Sequence, residues 1–282
     1  MWSALVSQLF SIAHLTLLSV SPPDLVEVAA ATGYDLVGFR AIPVGTKDEP
    51  HHPLAQDRTL LTRTRRALAD TGLKALDVEL ARIVPGLDPR AYLAAMEVAA
   101  ELGAKHILSS GWCEDRNFVL DTFISLCDLA RPFGLTVEFE FVSFASVATL
   151  AAAADLVRSA GRDNAGLLID TLHFDRAGTR LEELDALPHQ WLRFAQVCNA
   201  PPCTAPTPAG MMQTAREGRS LLHEGCIDVA AILARLPQMP YSIEAPNKSL
   251  LAELGAAEFA HRNLEAAKSY LATVHPVTRG GD

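Results

Sequence analysis

The sequence has no excess of basic residues: 33 aspartates and glutamates outnumber 24 lysines and arginines, giving a net charge of −9. Broad, sequence-independent binding to nucleic acids depends on lysines and arginines that neutralise phosphates, so this balance argues against it. The same acidic balance disfavours attachment to an anionic membrane surface. We therefore predict neither a nucleic acid nor a membrane as a partner.

Long apolar segments and paired cysteines are also missing. The apolar run at 10–20 is too short to span a bilayer, lacks a basic flank and contains His14, so neither a signal peptide nor a transmembrane helix is predicted. The five cysteines are odd in number and show no CxxC spacing. This pattern is typical of reduced thiols in a cytoplasmic protein, not of disulfides or a zinc knuckle.

Eight apolar runs alternate with helical patterns, about 35 residues apart, which is the size of one strand–helix unit. Strict alternation predicts parallel strands with right-handed crossovers, and no G-x-G-x-x-G or P-loop points to an open nucleotide-binding sheet. We predict a single-domain α/β protein, a (β/α)₈ TIM barrel over 1–274 with a frayed tail at 275–282. The predicted strands are 10–18, 34–42, 73–81, 104–109, 135–141, 165–173, 191–197 and 241–244, and a long proline-rich loop is predicted at 200–224.

Four successive predicted strands carry an oxygen donor at or near the end of the apolar run, namely Glu140, Asp170, Gln196 and Glu244. Strand ends of a barrel converge on one mouth, where three carboxylates without a cation would repel one another and take up protons. A divalent metal ion removes this repulsion. The all-oxygen set favours Mn²⁺ or Mg²⁺, with Co²⁺ and Zn²⁺ as alternatives. For any one acid taken alone, a helix N-cap or a solvated loop residue is the competing interpretation.

Three further residues near these strand ends are candidates for contacts with a substrate. His173 follows Asp170 by three residues and is a candidate acid–base group, the alternative being that it only orients Asp170. Arg216 and Arg219 lie in the 200–224 segment and could hold an anionic or polyhydroxy substrate, because a guanidinium offers a rigid fork of donors. Surface solvation is the alternative for both arginines.

Other polar residues are further candidates for the site, each with a structural alternative. Asn199 either faces the pocket or caps a turn. His14, Arg40 and Glu79 either line the opposite rim or are ordinary polar-loop or barrel-filling residues. Glu138 points to the same face as Glu140 but one layer deeper, where the competing interpretation is a buried acid paired with a base, an arrangement that is itself unusual. Trp112 is interpreted as packing.

Several segments resemble the xylose isomerase-like TIM-barrel family, which holds sugar phosphate isomerases and epimerases and inosose dehydratases. The resemblance is strongest at 135–247. It implies a divalent metal bound by Glu140, Asp170, Gln196 and Glu244, and a homodimer or homotetramer. The ketose epimerases of the family have His where this chain has Gln196, a residue that the dehydratase-like branches tend to show. The segments are Glu140-Phe-Val-Ser-Phe144, Asn164-Ala-Gly-Leu-Leu-Ile-Asp-Thr-Leu-His-Phe174, Gln196-Val-Cys-Asn-Ala200, Arg216-Glu-Gly-Arg219 and Ser242-Ile-Glu244.

The expected chemistry of such a site is proton abstraction next to a carbonyl, with a metal-stabilised enediolate and with Glu140 and Glu244 as the two proton-transfer groups. We predict a metal-dependent isomerase or epimerase of a small carbohydrate or keto-polyol. The first alternative is a lyase, a dehydratase of a keto-inositol or a dehydroshikimate-like acid assisted by His173. The others are an endonuclease IV-like DNA-repair enzyme, whose multinuclear zinc site is rich in histidine, and a non-catalytic sugar-binding barrel.

Overall fold

The computed structural model describes residues 8–45, 49–204 and 206–274. Within these ranges eight parallel strands close into a barrel in chain order, with the last strand paired to the first. The predicted α/β TIM barrel is confirmed, while the predicted frayed tail lies outside the described residues. The strands are β1 (Phe10–Ile12), β2 (Leu36–Arg40), β3 (Lys74–Ile83), β4 (His106–Gly111), β5 (Thr136–Glu140), β6 (Ala165–Asp170), β7 (Leu192–Val197) and β8 (Tyr241–Ile243).

Helices connect the strands and form the outer layer of the barrel. Among the described helices, none combines the length and the apolar character needed to cross a bilayer. The helices are α1 (Pro22–Thr32), α2 (Arg58–Thr71), α3 (Leu93–Leu102), α4 (Arg116–Ala130), α5 (Leu150–Ala160), α6 (Thr171–Arg176), α7 (Glu182–Asp185), α8 (Pro208–Glu217), α9 (Val229–Leu233) and α10 (Lys248–Val274).

Three predicted segments were wrong. The predicted strand 165–173 ends at Asp170, and Thr171–Arg176 forms α6. The predicted strand 10–18 ends at Ile12, and His14–Leu17 forms a 3₁₀ turn, because an apolar run alone does not distinguish a buried strand from a buried helical turn. The predicted loop 200–224 contains α8. Its start has a local signal, since the Thr207 hydroxyl accepts a hydrogen bond from the Gly210 N–H at 3.1 Å and Pro208 occupies the first helical position.

Side chains inside the barrel are stacked in layers that lead up to the site. Leu76, Leu108, Leu168 and Phe194 form a small buried cluster that is separate from the main core between strands and helices. Alternate residues of a strand share a face. Asp170 therefore points inwards one layer above Leu168, and Gln196 points inwards one layer above Phe194.

Glu138 lies below Glu140 in this layering, as predicted, and its carboxylate is paired with a base. Arg193 Nη1 contacts Glu138 Oε1 at 3.1 Å, and the Glu138 side chain is 1% exposed. The pair depends on Gly166 of the neighbouring strand, because a Cβ there would lie 1.9 Å from Glu138 Oε2. This arrangement keeps Glu138 in the barrel wall and leaves Glu140 as the acid of β5 that faces the mouth.

Candidate functional site

The predicted oxygen donors are linked by contacts at the carboxyl end of the barrel. Asp170 and Gln196 occupy paired positions at the ends of β6 and β7. The Gln196 Nε2 donates to Glu244 Oε1 at 3.0 Å, and Glu244 directly follows β8. Glu140 closes β5 on the other side of Asp170. All four side chains are buried.

Arg219 joins two of these acids. Its Nη1 contacts Asp170 Oδ2 at 2.6 Å and its Nη2 contacts Glu244 Oε2 at 2.7 Å. Its Nε donates to the carbonyl of Ala215 at 2.9 Å, which fixes the guanidinium plane. Arg219 is 2% exposed. The alternative interpretation of Arg219 as a solvated surface residue is therefore wrong. In the structure, the Arg219 side chain holds Asp170 and Glu244 in place.

Asp170 also performs the helix-capping role considered for single acids. Its Oδ1 accepts hydrogen bonds from the Leu172 N–H at 2.7 Å and the His173 N–H at 3.3 Å, so it caps α6. Burial raises the pKa of Asp170, but attraction to Arg219 and His173 and the hydrogen bonds outweigh it, so the net shift is downwards. Asp170 is therefore ionised at neutral pH.

The other two acids differ from Asp170 in protonation. Burial, followed by repulsion from Glu244 and Asp170, raises the pKa of Glu140 well above its ordinary value. Burial also raises the pKa of Glu244 to about 8; Arg219 opposes this, whereas Glu79 and Asp170 add to it. Without an additional cation this end of the barrel retains protons at neutral pH, as the sequence predicted for clustered carboxylates.

A second buried ion pair extends the charged site. The Arg40 Nε lies 3.3 Å from Glu79 Oε1, and both residues are buried. Burial, followed by repulsion from Glu79 and Glu244, raises the pKa of Asp77 well above its ordinary value. Five buried carboxyl groups therefore surround two buried guanidinium groups, so that the acids outnumber the bases by three within this group. The acids are Asp77, Glu79, Glu140, Asp170 and Glu244, and the bases are Arg40 and Arg219.

The donors fit a divalent cation. Ligand atoms of Glu140, Asp170 and His173 lie within 4.8 Å of one another, and all three residues are buried. The Gln196 Oε1 is buried and has no hydrogen-bond partner among the described residues, which is costly unless a cation or a ligand satisfies it. Carboxylate, amide and imidazole donors all bind first-row divalent metals. The predicted ligand set of Glu140, Asp170, Gln196 and Glu244 remains a prediction, and the structure adds His173 as a further candidate ligand.

The imidazole of His173 is neutral and oriented. Burial is the main cause that lowers its pKa, to about 4; Asp170 acts in the opposite direction. The Ser143 N–H donates to His173 Nδ1 at 3.4 Å, and the Ser143 hydroxyl lies 3.1 Å from the same nitrogen. His173 Nε2 lies 3.9 Å from Glu140 Oε1. The ring therefore presents Nε2 to the acid cluster.

A cavity of about 590 Å³ opens above the acids, a volume typical of sites for small molecules. The predicted site residues that line it are Glu79, Glu140, His173, Arg216, Arg219 and Glu244. Two further residues line the cavity, Trp112 and Arg82. Trp112 had been interpreted as packing, and Arg82 lay outside the third predicted strand, which was expected to end at residue 81. An aromatic residue directly after a strand was the available signal for Trp112.

Asn199 is not among the residues that line the cavity, because its side chain bonds within its own loop. Its Nδ2 donates to the carbonyls of Leu222 (3.1 Å) and Ile227 (3.3 Å), and its Oδ1 accepts from the Ala200 N–H at 2.9 Å. A Cβ at Gly225 would lie 2.4 Å from Asn199 Oδ1, so only glycine allows this close approach. We therefore assign Asn199 to the turn-capping alternative.

His14 is likewise absent from the cavity lining and is held by the backbone. Its Nε2 donates to the Val20 carbonyl at 2.9 Å, and its Nδ1 accepts from the Arg40 N–H at 3.0 Å. The ring stacks on His52 with the centroids 5.1 Å apart. His14 therefore supports the segment that carries Arg40, and the structure favours its structural interpretation over substrate binding.

We expect His14 to make stability depend on pH. Burial is the main cause that lowers its pKa to about 3 from 6.5. Below pH 6.5 the unfolded chain binds a proton here and the folded chain does not, so stability falls as pH falls towards 3. The expected contribution is about 1.4 kcal/mol per pH unit. Urea unfolding at pH 6, 5 and 4 should show a shallower dependence in His14→Gln than in the wild type, and equal slopes would contradict this assignment.

The fold and site together define a TIM-barrel protein with a buried acidic cluster, a candidate metal site, at the mouth of the barrel. The chain belongs to the family described as xylose isomerase-like TIM barrel, whose model matches residues 26–270. The resemblance found in the sequence is thereby confirmed.

Sequence relatives include two inosose isomerases. One from Bacillus velezensis is 27% identical over 157 residues, covering 52% of this chain and 54% of that protein. Another, from Halalkalibacterium halodurans, is 30% identical over 96 residues, covering 33% of this chain and 32% of that protein. The chain thus matches about half of the length of these relatives, or less.

Solved structures share the fold. One is an IOLI protein with a zinc atom, which superposes with a TM-score of 0.79 at 20% identity over 95% of this chain and 100% of that chain. Another is a D-allulose 3-epimerase from Methylomonas sp. in complex with D-allulose, with a TM-score of 0.69 at 16% identity over 93% of this chain and 96% of that chain. At these identities the similarity concerns the fold.

Proposed function

We propose that the protein is a divalent-metal-dependent isomerase or epimerase that removes a proton next to the carbonyl of a keto-sugar or keto-polyol. One observation carries this proposal: two buried carboxylates, Glu140 and Glu244, face one cavity beside a candidate metal site. The inosose isomerases and the D-allulose 3-epimerase among the similar proteins support the same reaction class.

Each residue has a role that its surroundings allow. A divalent cation at the site would polarise the substrate carbonyl as a Lewis acid. Glu140 and Glu244 come from β5 and β8, three strands apart in the closed barrel, and we place them on two sides of the substrate. One removes a proton and the other returns it. Arg219 keeps Glu244 and Asp170 oriented. A metal held by the four predicted oxygen donors leaves His173 Nε2 free to bind a substrate hydroxyl.

A dehydratase is the second candidate, and the orientation of His173 favours it. Because Nδ1 accepts from the Ser143 N–H, the proton of the neutral ring lies on Nε2, which faces Glu140. That N–H can donate a hydrogen bond to a hydroxyl group as it departs, and the protonated carboxyl of Glu140 or Glu244 supplies the proton with which it leaves as water. Isomerisation and dehydration share the first proton removal, so the products distinguish them: only dehydration forms an unsaturated or diketo compound with new ultraviolet absorbance.

Hydrogen–deuterium exchange tests the shared first step. Keto-sugars and inosose-type ketones are incubated with the protein in D₂O with Mn²⁺, which is removed with EDTA before NMR spectra are recorded. We expect deuterium at the carbon next to the carbonyl, and no exchange above background when EDTA is present from the start. Exchange that continues at full rate in EDTA would contradict metal dependence.

The same samples show whether the metal supports the fold. Metal analysis of the native protein should find about one divalent ion per chain. EDTA should leave the circular dichroism spectrum unchanged, because the apolar layers of the barrel supply most of the stability. Unfolding on chelation would instead assign the metal a structural role.

A further inference from the structure

The cavity has a second charged region that the proposed reaction does not use. Arg82 and Arg216 both line the cavity, and both side chains are partly buried. Among the described residues, neither forms an ion pair with an acid, whereas Arg40 and Arg219 deeper in the cavity are paired. We call Arg82 and Arg216 the arginine rim.

Arg82 is held in a fixed orientation but retains donors. Its guanidinium carbon lies 4.2 Å from the centroid of the Trp112 ring, and its Nη1 donates to the Val44 carbonyl at 3.2 Å. Its Nε is buried and has no hydrogen-bond partner within the part of the chain that the structure describes. A stacked guanidinium with unused donors is pre-organised to bind a planar or tetrahedral anion.

Arg216 adds a second positive charge to the same region. It lies in the last turn of α8, three residues before Arg219. Burial is the main cause that lowers the pKa of both rim arginines. Repulsion from Arg216 lowers the pKa of Arg82 further, and repulsion from Arg40 lowers that of Arg216 further. Two partly desolvated guanidinium groups that line one cavity favour a bound anion.

The carboxylates near the rim neutralise it only in part. Glu49 accepts hydrogen bonds from the backbone N–H groups of Val44 (3.2 Å) and Gly45 (2.8 Å) and lies 3.9 Å from the Arg40 Nη1. It is therefore engaged with other partners. Glu217 is exposed beside Arg216, so water screens its charge.

An aromatic wall connects the rim with the proposed catalytic end. The Trp112 ring packs on Phe144 with the centroids 5.9 Å apart, and Phe144 packs on His173 at 5.5 Å. A substrate whose carbonyl lies at the acid cluster can therefore extend along this wall towards Arg82 within the same cavity.

From these contacts we infer that the substrate is an acidic keto-sugar or keto-polyol, whose carboxylate or phosphate is bound by Arg82 and Arg216. The inference rests on the proposed function for the orientation of the substrate, but on different residues for the anion. Uncharged relatives of the same size bind less tightly, because they leave the rim without a counter-charge.

Binding measurements on the wild-type protein test the substrate class. Isothermal titration calorimetry with Mg²⁺ compares D-fructose, 5-keto-D-gluconate and D-fructose 6-phosphate. We expect at least one anionic probe to bind about tenfold or more tightly than D-fructose, with an advantage that shrinks as NaCl is raised. The anionic probe that binds more tightly shows whether the site prefers a carboxylate or a phosphate. Equal affinity for all three, or binding only of D-fructose, would overturn the inference.

Two variants and a matched control locate the anion. Arg82→Gln and Arg216→Gln should each weaken binding of the preferred anionic probe about tenfold and leave D-fructose binding unchanged. The control is Arg158→Gln, because Arg158 also stacks over a tryptophan, Trp191, but at the opposite end of the barrel. Folded rim variants that bind the anion like the wild type would contradict the assignment. If a variant does not fold, the wild-type comparison decides alone.

The two proposals fail in different ways. If deuterium exchange occurs but the anionic probes bind no more tightly than D-fructose, the proposed reaction is supported and the arginine rim does not recognise the substrate. Tight, salt-sensitive anion binding that Arg82→Gln weakens, without metal-dependent exchange in any compound, would support the anion site and contradict the proposed reaction.

Discussion

Glu140→Gln and Glu244→Gln are each expected to reduce metal-dependent deuterium exchange by about a hundred- to ten-thousandfold, the usual contribution of a positioned acid or base. Glutamine keeps the size of the side chain and cannot accept the proton. It also resembles the protonated carboxyl that burial favours at both positions. The variants should therefore fold and melt at least as high as the wild type, and metal analysis of each variant distinguishes a lost proton-transfer group from a lost metal ligand.

Glu138→Gln is the matched control for this experiment. Glu138 lies on β5 two residues before Glu140, and its carboxylate contacts Arg193 in the barrel wall and not the cavity. We expect lower stability and normal exchange per folded molecule. Full activity in Glu140→Gln or Glu244→Gln would show that the proton-transfer groups have been assigned wrongly.

The barrel could be predicted because each strand has a simple sequence signature. Parallel strands covered on both faces require apolar runs, and the run in β6 ends where Asp170 reaches the mouth. The first predicted strand was too long because an apolar run is compatible with both a buried strand and a buried 3₁₀ turn. Ile12 packs as a strand residue, whereas the segment from His14 turns into a 3₁₀ helix that the Val20 carbonyl and the Arg40 N–H stabilise.

The acid cluster could be predicted from strand ends, but its partners could not. Glu140, Asp170 and Gln196 come within reach because their strands are neighbours in the barrel. The contact of Arg219 with Asp170 joins residues 49 positions apart and depends on how α8 packs over the mouth. Arg82 enters the cavity because β3 continues to Ile83, two residues beyond the predicted end.

Arg219→Met is expected to lower the free energy of unfolding by about 3–5 kcal/mol at pH 7 in EDTA. The guanidinium that contacts Asp170 at 2.6 Å and Glu244 at 2.7 Å would be lost, and Asp170, which is ionised at pH 7, would become a buried charge without this partner, which is strongly destabilising. Chemical denaturation followed by circular dichroism measures the loss. The control is Arg116→Met, which removes an exposed pair with Asp155 and should cost less than about 1 kcal/mol.

The pH dependence of this loss distinguishes a charge effect from a packing effect. In the wild type the pKa of Asp170 is lowered from 3.8, so its contribution to stability is present above that pH and disappears as pH falls through the lowered pKa. Without Arg219, burial raises the pKa of Asp170, and the carboxyl takes up a proton at a higher pH. The difference in the free energy of unfolding between variant and wild type should therefore shrink from pH 8 to pH 5. Mn²⁺ should raise the melting temperature more in the variant, because Asp170 and Glu244 are then free to bind it. A loss that is constant with pH and insensitive to Mn²⁺ would show that Arg219 acts mainly through packing.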